Sequence, residues 1–157
     1  MTTDSTPADR ADGRPLNTVD ALVQLSFLTQ RILSTVGAEY DLSIIQIRLL
    51  GILRDRRPGM LELGGYLDLD KSSMTGLVSR AEKRGLVQRS PSPHDGRAVL
   101  VSLTPLGREF TDRCGAEIGR RIAELTDRLT TTQRDQLTEL ATALVHAQPQ
   151  APITPAG

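Results

Sequence analysis

Between residues 70 and 85 the chain places Lys71, Ser72, Ser73, Thr75, Ser79 and Arg80 within about three turns of a single helical stretch. Hydroxyls and cations are hydrogen-bond donors suited to phosphate oxygens and to the acceptor atoms on base edges. A second group, Arg89, His94, Asp95 and Arg97, follows on what reads as two short strands around a turn. From Lys71 to Arg97 six cations face two carboxylates, Glu82 and Asp95, so the segment is locally basic. The chain as a whole has 19 basic and 19 acidic residues, and its net charge carries no argument for a polyanionic partner.

Other chemistries lack their residues. His94 and Asp95 sit near several serines, but neighbours on one tight turn cannot converge as nucleophile, base and orienter. No nucleophile elbow or phosphate loop is present, so an enzyme is not expected and no catalytic residue is assigned. One cysteine and two histidines exclude an intrachain disulfide and leave no zinc-ligand spacing, so neither metal nor cofactor is expected. No apolar run is long enough to span a bilayer and residues 1–14 are polar, which points to a cytoplasmic protein with no membrane partner.

The elements that must hold the basic segment are legible from periodicity and caps. Asp70 caps a helix whose apolar side is Leu77, Val78 and Ala81, and Gly85 supplies the left-handed stop. Before it, Ser43 and Gln46 have capping-box spacing and open a helix through Arg54, with Ile44, Ile47, Leu50 and Ile52 or Leu53 inward. Pro58-Gly59 breaks it, and residues 60–67 form a short helix weakened by Gly64-Gly65, each glycine costing up to about 1 kcal/mol relative to alanine. Two short helices joined by a tight turn and followed by a hairpin, residues 86–90 and 98–103, make a winged helix-turn-helix over about 43–104.

Long amphipathic helices flank this unit. Val19, Leu22, Leu25, Leu28, Ile32 and Val36 recur at three- and four-residue steps, giving a helix over about 16–36 that stops at Gly37. Thr104 and Pro105 begin another, to about residue 129, with the stripe Leu106, Phe110, Cys114, Ile118, Ile122, Leu125 and Leu129. Thr130 and Gln133 form a second capping box for a last helix carrying Leu137, Leu140, Ala141, Leu144 and Val145. These stripes exceed what a small winged domain covers. Helices 16–37 and 105–147 are therefore expected to build a two-fold dimerisation region, with the reading helices of a homodimer roughly 34 Å apart. The fold class is mainly α with a small β-hairpin, in one unit over 16–147, between disordered tails at 1–15 and 148–157.

The order of elements, with Leu42-Ser43-Ile44-Ile45-Gln46, Glu62-Leu63, Leu69 to Thr75, Lys83 to Val87, Asp95-Gly96-Arg97 and Leu103 to Gly107, closely resembles the MarR family of bacterial transcriptional regulators. The resemblance covers roughly residues 16–147. It implies a homodimer on a palindromic double-stranded DNA operator, usually a repressor, and often released by a small aromatic or anionic effector. In that pattern Lys71, Ser72, Ser73 and Thr75 meet bases or phosphates in the major groove, with Gly76, Ser79 and Arg80 on the same helix. Arg97 matches an arginine inserted into the minor groove, with Asp95 holding its guanidinium, and Arg89 and His94 match phosphate contacts.

Three positions depart from the pattern. Gly76 stands where some members carry an arginine, which shifts base specificity toward hydroxyls, water and DNA shape. Gly64-Gly65 replaces stronger helix formers, and Asp68 replaces the usual turn glycine, although aspartate tolerates the left-handed conformation. Two competing readings remain: a regulator that senses oxidants through Cys114, and a winged-helix protein-interaction module without an operator. Cys114 falls on the buried stripe between Phe110 and Ile118, which favours a packing role. Tyr40, Phe27, Phe110 and Arg48 are candidates for an effector pocket, with core packing the simpler role for the three aromatics.

Overall fold

The computed structural model describes residues 15–147. The expected tails lie outside the described residues, apart from Pro15. Among the described residues there are six helices and one antiparallel hairpin, in the order α1 (Thr18–Glu39), α2 (Ile44–Asp55), α3 (Met60–Leu67), α4 (Lys71–Lys83), β1 (Val87–Pro91), β2 (Val99–Leu103), α5 (Pro105–Thr126) and α6 (Thr131–His146).

Caps fix most of these boundaries. The capping boxes form at both expected places, Ser43 with Gln46 and Thr130 with Gln133. Asp70 Oδ1 accepts from the Ser73 amide at 2.8 Å, and Thr104 Oγ1 accepts from the Gly107 amide at 2.9 Å. Gly85, at φ +72°, closes α4, with the amides of Leu86 and Gly85 donating to the carbonyls of Ala81 and Glu82 at 3.0 and 2.8 Å.

Helix α1 does not stop at Gly37. It runs on to Glu39 and ends in the same capping geometry, with Asp41 at φ 54° and the Leu42 amide on the Gly37 carbonyl at 2.7 Å. Gly37 is needed for closeness instead, because a Cβ there would stand 2.5 Å from the Leu42 carbonyl oxygen. Asp68 takes the left-handed conformation expected of it, at φ 54°. Gly64 lets the turn after α3 approach, since a Cβ would lie 3.0 Å from the Leu69 oxygen.

The core lies between α2, α3, α4 and the hairpin, around Leu49, Leu53, Leu63, Met74, Leu77, Val78, Val87 and Val101. In α2 the inward arc centres on Leu49, Leu50 and Leu53, whereas Ile44 and Ile47 are half-buried at its margin. The hairpin pairs Val87 with Leu103 and Pro91 with Val99. Pro58-Gly59 does more than break a helix: the Val101 amide donates to the Pro58 carbonyl at 2.9 Å and Gly59 bridges Leu100, so the wing's second strand is tied to the entry of α3.

The flanking helices are only partly covered. In α1 just Val36 and Gly37 are buried, and in α6 no residue is. Helix α5 packs on α1 and α2 near its N-terminal half, through Phe110, Thr111, Cys114 and Ile118, and ends at Thr126, three residues before the expected stop. Gly107 lets the first turn of α5 sit against the link between α4 and β1, because a Cβ would fall 1.8 Å from the Leu86 carbonyl oxygen.

Candidate nucleic-acid interface

Helix α4 buries Met74, Leu77, Val78 and Ala81 and leaves Lys71, Ser72, Ser73, Thr75 and Arg80 exposed: at 3.6 residues per turn Ser72, Thr75 and Arg80 fall off the buried arc, and Lys71 and Ser73 lie in the first turn, ahead of the core. Its hydroxyls are largely occupied. Ser73 Oγ donates to Asp70 Oδ2 at 2.9 Å and Thr75 Oγ1 to the Lys71 carbonyl at 2.8 Å. Ser79 Oγ accepts from Arg89 Nη2 at 3.1 Å. The bonds from Ser73 hold the Asp70 carboxyl below its ordinary range, so the cap stays ionised under mild acid. Lys71, Ser72 and Arg80 make no side-chain hydrogen bond within the described residues.

The wing is braced against this helix. Arg89 Nη1 donates to Glu82 at 2.5 Å, and its other nitrogen reaches Ser79 and the Thr75 carbonyl, the latter at 3.5 Å. The residue expected on a phosphate is thus half-buried and joined to α4, because strand β1 runs beside the last two turns of that helix. The tip, by contrast, is held through its backbone. Ser92 Oγ accepts from the amides of His94 and Asp95, each at 3.3 Å, and the Ala98 amide donates to the Asp95 carbonyl at 2.9 Å. Asp95 does not hold the guanidinium of Arg97. Its carboxylate accepts from the Arg97 amide at 3.0 Å, since an aspartate two residues earlier in a turn reaches the main chain more readily than a long side chain. His94 and Arg97 are exposed, and the Arg97 guanidinium has no partner among the described residues.

A joint links the reading unit to the long helices. Arg84 Nη1 and Nη2 donate to the carbonyls of Asp41 and Tyr40 at 2.5 and 3.1 Å, and the same guanidinium lies 5.7 Å from the Phe110 ring centroid. Tyr40 meets Phe110 edge to face at 5.4 Å. One arginine therefore joins the end of α4 to the end of α1 and the start of α5.

A helix that exposes Lys71, Ser72 and Arg80 without partners among the described residues, with a turn before it and a basic-tipped hairpin behind it, is the geometry of a DNA-reading module. The family model described as MarR family matches residues 40–98. The HTH-type transcriptional regulator YhbI of Bacillus subtilis, itself uncharacterised, is 30% identical over 116 residues, 73% of this chain and 75% of that protein. The multiple antibiotic resistance protein MarR of Salmonella typhimurium is 32% identical over 104 residues, 64% of this chain and 71% of that one. The chain belongs to the MarR family. The solved apo form of wild-type MarR from Escherichia coli has the same fold, with a TM-score of 0.72 at 25% identity over 84% of this chain and 98% of that one. This MarR-type protein is a winged-helix, DNA-binding transcriptional regulator.

The four residues proposed for an effector pocket are not brought together within one chain. Tyr40 and Phe110 pack on each other, Arg48 donates to the Tyr66 carbonyl at 3.3 Å, and Phe27 is exposed roughly 20 Å further up α1 from Tyr40. Cys114 is 4% exposed and its burial pushes the thiol up from its ordinary value, which disfavours the reactive thiolate. Among the described residues no group of three or more His, Cys, Asp and Glu side chains could hold a metal, and no helix is long and apolar enough to cross a membrane. In the sequence Arg84 reads as a charge within the Lys83 to Val87 motif, with no tertiary partner indicated. Its position directly before Gly85, at the end of a capped helix, was the available signal that it faces back toward the core.

Proposed function

We propose that this regulator acts as a homodimeric repressor on a palindromic operator, with α4 of each protomer in a major groove and Arg97 of each wing in the adjacent minor groove. The observation that carries this reading is the bare apolar surface of the two outer helices. Val19, Leu22, Val23, Leu25, Phe27 and Leu28 on α1, with Leu137, Leu140, Leu144 and Val145 on α6, are ten of the fourteen exposed large hydrophobics among the described residues. Bare apolar surface of that extent on two long helices belongs in an interface, and the same surface on a second copy of the chain is the partner that two-fold symmetry supplies.

Lys71, Ser72, Ser73, Thr75, Gly76, Ser79 and Arg80 then form the major-groove contact set, with His94 on phosphate and Arg89 and Asp95 shaping the wing. A dimer covering two successive grooves would block a promoter without further machinery. A small aromatic or anionic effector would release it only through unequal affinity for the DNA-compatible and DNA-incompatible spacings of the two heads. The test is a gel shift of the purified protein against genomic fragments across a salt series, beside sedimentation of the free protein. A retarded fragment containing a palindrome, with affinity falling steeply in salt, supports the reading. Failure to retard any fragment at low salt favours an interaction module that has kept the fold without an operator.

A further inference from the structure

The exposed face of α4 reaches its DNA partner with few free groups. Ser73 and Thr75 already donate their hydroxyls to Asp70 and to the Lys71 carbonyl, and Ser79, half-buried, accepts from Arg89. The helix carries no asparagine or glutamine, the side chains that read adenine with two bonds. Arg84, just past its end, is committed to the carbonyls of Tyr40 and Asp41. Lys71 and Lys83 are point charges without a planar fork. That leaves Arg80 as the one free planar fork on this helix, the geometry best matched to the paired acceptors of a guanine edge.

Its placement matches the task. Long helical side chains lean toward the N-terminus, over the residue four earlier. For Arg80 that residue is Gly76, and a methyl group there would stand 3.2 Å from Arg80 Nη1. Glycine therefore leaves a bed in which the guanidinium lies along the helix surface, roughly 6 Å nearer the N-terminal end than its own Cα level. The fork is exposed and unpaired among the described residues.

Resting on the operator reading above, we infer that Arg80, laid in the gap left by Gly76, is the specificity-determining residue of this regulator and selects a guanine through O6 and N7 at one position of each operator half-site. The test is selection of bound duplexes from a randomised pool, comparing the wild type with Arg80→Lys, Arg80→Ala and Gly76→Ala. The melting temperature of each variant checks folding, which an exposed side chain should leave unchanged.

The wild type should enrich a palindrome with guanine fixed at one symmetric pair of positions. Arg80→Lys and Arg80→Ala should both flatten that position while keeping the others, with a roughly ten- to hundredfold loss on the guanine-bearing site. Gly76→Ala, which displaces the fork, should flatten it in part. If Arg80→Lys keeps the full preference, or if Arg80→Ala weakens every sequence alike, Arg80 is a phosphate contact and the inference is overturned. If the wild type enriches no sequence, the operator reading falls and this inference with it.

Discussion

Arg97 ends the wing with a guanidinium that no neighbouring side chain holds, on a turn whose own backbone is fully organised by Ser92 and Asp95. That combination fixes the origin of the side chain while leaving its head free for the proposed minor-groove contact. Arg97→Ala should weaken operator binding about tenfold or more, the loss expected for a charge-assisted contact, and chiefly at sites with A·T-rich flanks. Fluorescence anisotropy on matched duplexes would measure it, and unchanged affinity would remove the wing from the interface. Side-chain placement is legible in the sequence where a cap or a period fixes the local backbone. The exposure of Ser72, Thr75 and Arg80 on α4 follows from helical spacing, whereas the role of Arg97 rests on the family resemblance. The partners of Arg89 and Asp95 are not legible there, because Glu82 is brought to Arg89 by the packing of a strand on a helix, and the choice of Asp95 between an amide and a guanidinium depends on turn geometry.

At the scale of elements, caps carried the sequence reading furthest. Ser43, Asp70, Thr104, Thr130 and Gly85 each set a boundary where expected, because capping is decided within four residues. Gly37 misled, since a glycine required by the approach of the Leu42 carbonyl looks the same in sequence as one that ends a helix. The joint at Arg84 is a tertiary arrangement that no local pattern encodes. Arg84→Lys should lower stability by about 1 kcal/mol and weaken DNA binding several-fold, because an ammonium cannot fork between two carbonyls while stacking on Phe110. Urea unfolding and a gel shift would read both. The ion-pair cluster on α5 also has a pH dependence. Arg120 and Arg121 hold the Glu117 carboxyl down to about 2, and Arg121 also binds Glu39 on α1. The folded value lies below the ordinary 4.5, so this contribution is present above about pH 4.5 and is lost as pH falls through 2. In thermal melts from pH 6 to pH 2, Glu117→Gln should show a shallower acid decline than the wild type.

For the whole molecule the decisive quantity is how much apolar surface one chain leaves bare. Leu140 on α6 is 66% exposed, a position that costs an isolated protomer nothing to make polar. Leu140→Glu should therefore keep the winged unit folded while shifting sedimentation from dimer to monomer, and operator affinity should fall with it; a dimer that survives the change would place the interface elsewhere. Inside each head, little is free to move. The Pro58 carbonyl takes the Val101 amide and Gly59 bridges Leu100 on one side of the hairpin, while Arg89 grips Glu82 on the other. In the proposed dimer, groove-probing helix and minor-groove finger would thus behave like the fixed jaw of a caliper. Its shape is cast, and the adjustable dimension would be the gap to the second jaw.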